Sequence, residues 1–409
     1  MNSRKGGNIE ELSRSGTDVT YTVDLSSINI KDIPDLSKYK HCKSLDLSCN
    51  QISTIWQEVF QVCPYLKEIK LYSNKLEKIE GIKNLQHLEN LQLQYNRISS
   101  LTEGLTNCKN LRFLRLDSNR LTMLKASDVR CLNQLSYLDI SANCLEDISF
   151  INVLSSLKEL HCANNKLQKI PNLSSLTKLE EIDISHNVLT SLSGLKGMRN
   201  LKTLNARDNE IASLVPVDTL KSLTDLNISD NRLKKLPPFA TQFPSLEVLS
   251  VAGNQLEKPD DLLALRKLCS LKELDIQNNP VTVDSSVLEN LSVNLLEKLD
   301  LVFYNGKNIV KKDTQRQTRP KSAMRPMSAN QLVSEKTISN QLHYDEMCLS
   351  DFEDHIKSQF VAVKGLLEEL PKTKPIKKDG IFYLKILYFN SSDLELTFRI
   401  KSIYRFCGN

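Results

Sequence analysis

The sequence predicts an α/β repeat solenoid: a horseshoe with a parallel sheet on its concave side and short 3-10 or helical segments on its convex side. Three observations predict it. A leucine-and-asparagine pattern recurs every 22–25 residues. Polar and apolar residues alternate inside each copy. Glycine is sparse, at 12 of 409 residues, and aromatic content is 6%, which suits a core of Leu and Ile at equivalent positions.

The pattern L-x-x-L-x-L-x-x-N-x-L runs through Leu66-Ile69-Leu71-Asn74-Leu76, Leu88-Leu91-Leu93-Asn96-Ile98 and Leu111-Leu114-Leu116-Asn119-Leu121, and continues to Leu271–Val281. Its asparagines are Asn50, Asn74, Asn96, Asn119, Asn143, Asn165, Asn187, Asn209, Asn231, Asn254 and Asn279. This is the pattern of a leucine-rich repeat. The x-L-x-L stretch makes a short strand with one apolar face, and only stacking of copies can bury that face. The chain then turns sharply, and each asparagine offers a donor and an acceptor to backbone groups stranded inside the turn. About ten residues remain for the return leg, too few for long helices.

The ends deviate. Val23-Leu25-Ile28-Ile30 reads as a degenerate first repeat with Ile28 in the asparagine position, and Leu296-Leu299-Leu301 as a last strand with Tyr304 in that position. The expected organisation is a disordered N-terminus over 1–16 and the solenoid over 17–305. A basic flexible linker follows over 306–345, then an amphipathic helix over 346–371, and a β-hairpin or poorly ordered tail over 372–409.

Charge and cysteine usage narrow the function classes. The net charge of +5 is local: residues 305–326 carry +6 and the remainder −1, which argues against a nucleic-acid-binding fold. No apolar run approaches the roughly 18 residues of a membrane helix, and residues 1–7 (MNSRKGG) show no signal-peptide core. No CxxC pair occurs. Cys63, Cys108, Cys131, Cys162 and Cys269 fall at repeat positions, as small apolar fillers of a protein kept in the reducing cytosol. No P-loop, GxSxG or HExxH motif is present, and His161 and Cys162 face opposite sides of one strand. No enzyme, cofactor or metal is expected, and the solenoid alone is expected to be a monomer.

Segments such as Leu66-Lys67-Glu68-Ile69-Lys70-Leu71-Tyr72-Ser73-Asn74-Lys75-Leu76, followed by Ile79 and Ile82, resemble the 22-residue regulatory-subunit class of leucine-rich-repeat proteins. That class is typified by a regulator of protein phosphatase 1 and is shared by many ciliary and axonemal proteins. The resemblance implies a non-catalytic scaffold or regulatory subunit in the cytoplasm, cilium, cytoskeleton or nucleus. It implies as partners the phosphatase 1 catalytic subunit or axonemal and tubulin-associated proteins. Ile170-Pro171 and Leu236-Pro237-Pro238 depart from it.

Function should sit where strand side chains point away from the core. Tyr72, Tyr95, Phe113 and Tyr137 fall on neighbouring rungs with Arg115, the composition of a binding hot spot. An acidic strip of Asp139, Glu159, Glu181, Asp183 and Asp225 follows. Together they suit a partner with an apolar knob and a basic flank. In the linker, Arg319-Pro320-Lys321-Ser322-Ala323 and Arg325-Pro326-Met327-Ser328-Ala329 repeat one motif, and each arginine stands three residues before a serine. Ser322 and Ser328 are therefore candidate sites for basophilic kinases, whose phosphates would offset the local charge.

Overall fold

The computed structural model describes residues 8–15 and 18–309, apart from 57, 84, 103 and 215–218. Ser322, Ser328, most of the linker and the expected helix and hairpin lie outside the described residues. One sheet holds fifteen strands in chain order. They are β1 (Asn8–Ser15), β2 (Asp18–Asp24), β3 (Cys42–Asp46), β4 (Glu68–Lys70), β5 (Asn90–Gln92), β6 (Phe113–Arg115), β7 (Tyr137–Asp139) and β8 (Glu159–His161). β9 (Glu181–Asp183), β10 (Thr203–Asn205), β11 (Asp225–Asn227), β12 (Val248–Ser250), β13 (Glu273–Asp275), β14 (Phe303–Tyr304) and β15 (Lys307–Asn308) complete it.

From β2 to β14 the pairing is parallel, and equivalent repeat positions stand directly opposite: Leu91 against Leu114, Leu114 against Leu138. A three-residue strand suffices because its middle residue is the only one that must enter the core. Single turns of 3-10 helix, such as Glu80–Ile82 and Ser193–Leu195, return the chain to the next rung. Three helices of four or five residues do the same: α1 (Ala126–Val129), α2 (Phe239–Gln242) and α3 (Pro259–Leu263). One continuous apolar core runs from Val23 to Tyr304. At about 25 cal/mol per Å² of apolar area it dominates the stability, and it exists only because rungs stack.

The asparagines repeat one hydrogen-bond set. Asn119 Nδ2 donates to the carbonyls of Leu93, Leu116 and Asp117 at 3.0, 3.0 and 3.2 Å, and its Oδ1 accepts from Ile98 N at 3.0 Å. Each side chain thus ties its own turn to the preceding rung. The residue before each asparagine sits in the left-handed region, from Cys49 (φ 55°) to Asn278 (φ 55°), which is how the chain leaves the strand so abruptly. Ser27 (φ 54°) keeps that turn at the first rung. Ile28 follows it at 46% exposure, and the amides of Ile28 and Ile30 donate to Asn50 Oδ1 at 3.2 and 3.1 Å.

Both ends correct the sequence reading. The segment expected to be disordered, 1–16, contains β1, which pairs antiparallel with β2 from Asn8 opposite Asp24 to Ser15 opposite Asp18. A parallel sheet ending at β2 would expose a row of unpaired backbone groups, and the hairpin covers it. At the other end Leu299 does not enter a strand. It caps α4 (Ser285–Lys298), a 14-residue helix begun by Asp284, whose carboxylate accepts from Ser286 N and Val287 N. Tyr304 stands opposite Leu274, in the buried leucine position rather than the asparagine position. Asn305 Oδ1 takes the amide of Ile276 at 3.0 Å, and β15 folds back antiparallel on β14. Leucine spacing alone could not place the register, because α4 supplies leucines at similar intervals. A smaller correction concerns Cys269, which is exposed, whereas Cys63, Cys108 and Cys162 are fully buried and Cys131 partly so. Burial pushes the thiols of Cys63 and Cys108 up to about 11 and about 12, so they behave as fillers rather than nucleophiles.

Candidate functional site

In each short strand the first and third residues face away from the core, so the open side of the sheet carries two aligned rows. The first row reads Glu68, Asn90, Phe113, Tyr137, Glu159, Glu181, Thr203 and Asp225; the second reads Lys70, Gln92, Arg115, Asp139, His161, Asp183, Asn205 and Asn227.

Phe113 and Tyr137 are opposite one another on β6 and β7. Their rings stack at 4.2 Å with planes 13° apart, and Tyr137 packs against His161 at 5.2 Å and 39°. Three rings therefore form one ribbon across β6, β7 and β8. His161 completes it, a member that sequence reading placed on this face without linking it to Tyr137. The link is diagonal between rows and depends on side-chain reach. Tyr72 and Tyr95 do not share a row with Phe113 and Tyr137. Tyr72 lies beyond β4 and Tyr95 in the turn before Asn96, left-handed (φ 56°) and 55% exposed.

Beside the ribbon, on the same face, lies a charged cluster. Arg115 donates from Nε and Nη2 to the two oxygens of Asp117, at 2.9 and 3.0 Å, and its Nε stands 3.7 Å from Asp139. Burial raises the Asp117 carboxyl to about 6, with Asp139 adding to the shift and Arg115 opposing it. Burial also works against the Arg115 charge, yet Asp117 and Asp139 outweigh it and hold the guanidinium above its ordinary value. One guanidinium thus serves two buried carboxylates: Asp117 takes both of its hydrogen bonds and Asp139 stands farther off, so Arg115 keeps its charge while burial and Asp139 raise Asp117. Tyr137 is also pushed up, by burial first and by Asp139 second.

The acidic residues divide into those that are held and those that are not. Asp139 Oδ1 accepts from Ser141 N at 3.0 Å. Asp183 accepts from Ser185 N, Ser185 Oγ and Asn205 Nδ2 at 2.9, 2.6 and 3.1 Å, and Asp225 from Thr224 Oγ1. Glu159 and Glu181 stand directly opposite one another on β8 and β9, and no hydrogen bond or ion pair engages either carboxylate among the described residues. Among those residues no group of three or more His, Cys, Asp and Glu is arranged to hold a metal ion, and no helix is long and apolar enough to cross a membrane.

Comparison with known proteins supports the fold. Over 80 residues the chain is 30% identical to asporin from Bos taurus, a stretch that covers 19% of this chain and 22% of asporin. An internalin from Listeria monocytogenes matches in structure with a TM-score of 0.56 at 22% identity, over 70% of this chain and 87% of that one. A chain in the complex of Latrophilin 3, Unc5D and the leucine-rich-repeat protein FLRT2 matches with a TM-score of 0.59 at 23% identity, over 68% and 89%. The family model described as "leucine-rich repeat region" matches residues 22–279. That span runs from β2 to the last asparagine of the ladder, and the chain belongs to the leucine-rich-repeat family.

Proposed function

We propose that the chain is a non-catalytic scaffold or regulatory subunit that grips a partner protein on the open face of its sheet. One observation carries the reading: rungs that are otherwise interchangeable place a three-ring ribbon and an arginine clamp side by side on β6 to β8. Aromatics and arginine supply most binding energy at protein interfaces, and here both sit on a rigid sheet. The matched FLRT2 solenoid is found in complex with Latrophilin 3 and Unc5D, and leucine-rich-repeat domains generally hold proteins rather than catalyse reactions. The buried, unreactive thiols of Cys63, Cys108 and Cys162 suit a reducing cytoplasm. The 22-residue motif favours a phosphatase-regulatory role, with the phosphatase catalytic subunit seated on this face. The two Arg-Pro-x-Ser-Ala copies around Ser322 and Ser328 favour a place in the cilium or microtubule cytoskeleton.

Proximity labelling with the full chain fused to a biotin ligase, compared with a Tyr72→Ala/Phe113→Ala/Tyr137→Ala variant, tests the reading. The expected result is loss of a defined set of neighbours from the variant. An unchanged set would refute a grip on this face, and the identities recovered separate a phosphatase from axonemal proteins.

A further inference from the structure

Several neighbouring rungs set acid against base on or beside this face. Lys70 meets Asp46 at 3.6 Å, Arg115 meets Asp139 at 3.7 Å, His186 meets Asp208 at 2.8 Å and Arg207 meets Asp230 at 2.9 Å. Asp24 and Asp46 also stand in register, but Asp46 has Lys70; Glu159 and Glu181 have no basic partner among the described residues. They are register partners on adjacent parallel strands, roughly 4.8 Å apart by sheet spacing, and like charges so placed destabilise a sheet. The second row offers no relief beyond His161, which is itself flanked by Asp139 and Asp183.

A second polar mismatch lies on the same face, three rungs before β8. Gln94 follows Gln92 on the open side of the sheet by strand alternation and adjoins Asp117 across the rungs. It is 5% exposed, and its Oε1 is buried with no hydrogen-bond donor among the described residues. The β5 to β9 face thus carries an unpaired buried amide oxygen and an unpaired carboxylate pair beside an apolar ribbon. A domain whose local rules agree elsewhere tends to violate them where it binds something.

We propose that β5 to β9 form the seat for an extended partner segment bearing an arginine. Its guanidinium enters between Glu159 and Glu181, and an apolar side chain lies on the Phe113–Tyr137–His161 ribbon. A guanidinium suits the pair because its planar fork donates to two carboxylates at once, whereas an ammonium is a point charge. Two rungs separate the middle of the Phe113–Tyr137 stack from the glutamate pair, roughly 10 Å, which an extended chain covers in about three residues. The recognised element is accordingly an apolar residue and an arginine about three residues apart. This inference rests on the gripping face proposed above and adds to it the chemistry of the partner.

The test is selection of a phage-displayed random dodecapeptide library on the immobilised full chain, followed by fluorescence anisotropy of the enriched peptides. Enriched sequences should carry arginine with an aromatic or large aliphatic residue at that separation. Affinity should fall about tenfold with Glu159→Gln or Glu181→Gln, and again when lysine replaces the peptide's arginine. The same glutamine variants, without peptide, should unfold at a higher temperature than the parent, because the repulsion is gone. A lowered midpoint would mark the two carboxylates as structural and overturn the proposal. So would an empty selection, a consensus without arginine, equal affinity with lysine, or peptides indifferent to both glutamates. Peptides that ignore the glutamates yet are lost with Phe113→Ala leave the gripping face standing. Peptides indifferent to Phe113 as well sink both readings.

Discussion

The asparagine side of the solenoid and the open face of its sheet are built by the same repeats and obey opposite rules. Along the ladder, Asn74, Asn143, Asn209 and Asn254 make the same four contacts, at 2.9–3.3 Å throughout, and lie 5–8% exposed. Across the sheet face a local Asp–Ser contact recurs on some rungs, as at Asp139 and Asp183, but the groups turned outward differ: Phe113 stacks on Tyr137, Arg115 is clamped by Asp117, and Glu159 meets Glu181 unrelieved. Repetition specifies whatever touches the neighbouring turn and is silent about whatever touches solvent. The first region should therefore fail as stability, and the second as binding.

The largest effect is expected on the ladder. Asn143→Ala removes donations to the carbonyls of Leu116, Ile140 and Ser141 and strands the amide of Leu121, in a site only 7% exposed. Leaving such groups unsatisfied costs about 1–3 kcal/mol. Urea unfolding followed by circular dichroism reads it directly. Position sharpens the comparison, because nearest-neighbour coupling makes an interior rung support both sides. Asn50→Ala, next to the first turn, should cost less, and equal costs at the two sites would contradict a chain of coupled rungs.

Phe113→Ala reverses the balance. The ring is half-buried, and losing its stack on Tyr137 costs about 0.5–1.5 kcal/mol beyond the lost area. Binding of any partner to the open face should fall by a larger factor than stability does. Parallel melting and anisotropy on this one variant separate the regions: a stability loss as large as that of Asn143→Ala, with binding intact, would merge them.

Asp117 lies between the regions and should show itself through pH. Its carboxyl is raised from 3.8 to about 6, so the folded chain binds this proton more tightly than the unfolded chain does. Stability contributed this way is present below the ordinary carboxylate range and is lost as pH rises through about 6. Asp117→Asn should remove that decline, at most about 1.4 kcal/mol per pH unit for one proton. Midpoints of denaturation measured from pH 4 to 7 check the sign, and a steeper decline in the variant would be the wrong outcome.

Legibility in the sequence divides along the same line. The leucine at each strand centre, the asparagine rungs and the short return legs could all be read, because each recurs at a fixed distance. What does not recur was read poorly. β1 has no repeat letters and joins the sheet antiparallel, outside the parallel stack that the repeats specify. Tyr304 and Leu299 were misplaced because α4 replaces the return leg with a helix of its own period. On the sheet face, row membership could be counted for Phe113 and Tyr137. The turn position that removes Tyr95 from the row, the reach of His161 to Tyr137 and the division of Arg115 between two acids arise from side-chain conformation. No spacing rule encodes these.

The smallest effect is expected where the face copies the ladder's inter-rung logic without its burial. Arg207 Nε meets Asp230 Oδ2 at 2.9 Å between neighbouring rungs, a distance as short as any on the ladder. Both side chains are about half exposed, at 51% and 44%. Water and salt screen such a pair, and holding two flexible side chains together offsets much of the attraction, so its worth is about 0–1 kcal/mol. Arg207→Ala should therefore shift the urea midpoint far less than Asn143→Ala does. What shift there is should shrink further as sodium chloride is raised toward 1 M, where the Debye length falls to about 3 Å. A cost equal to that of an asparagine rung would mean that geometry rather than burial sets the energy of these contacts, and the contrast between the two sides of the solenoid would fail.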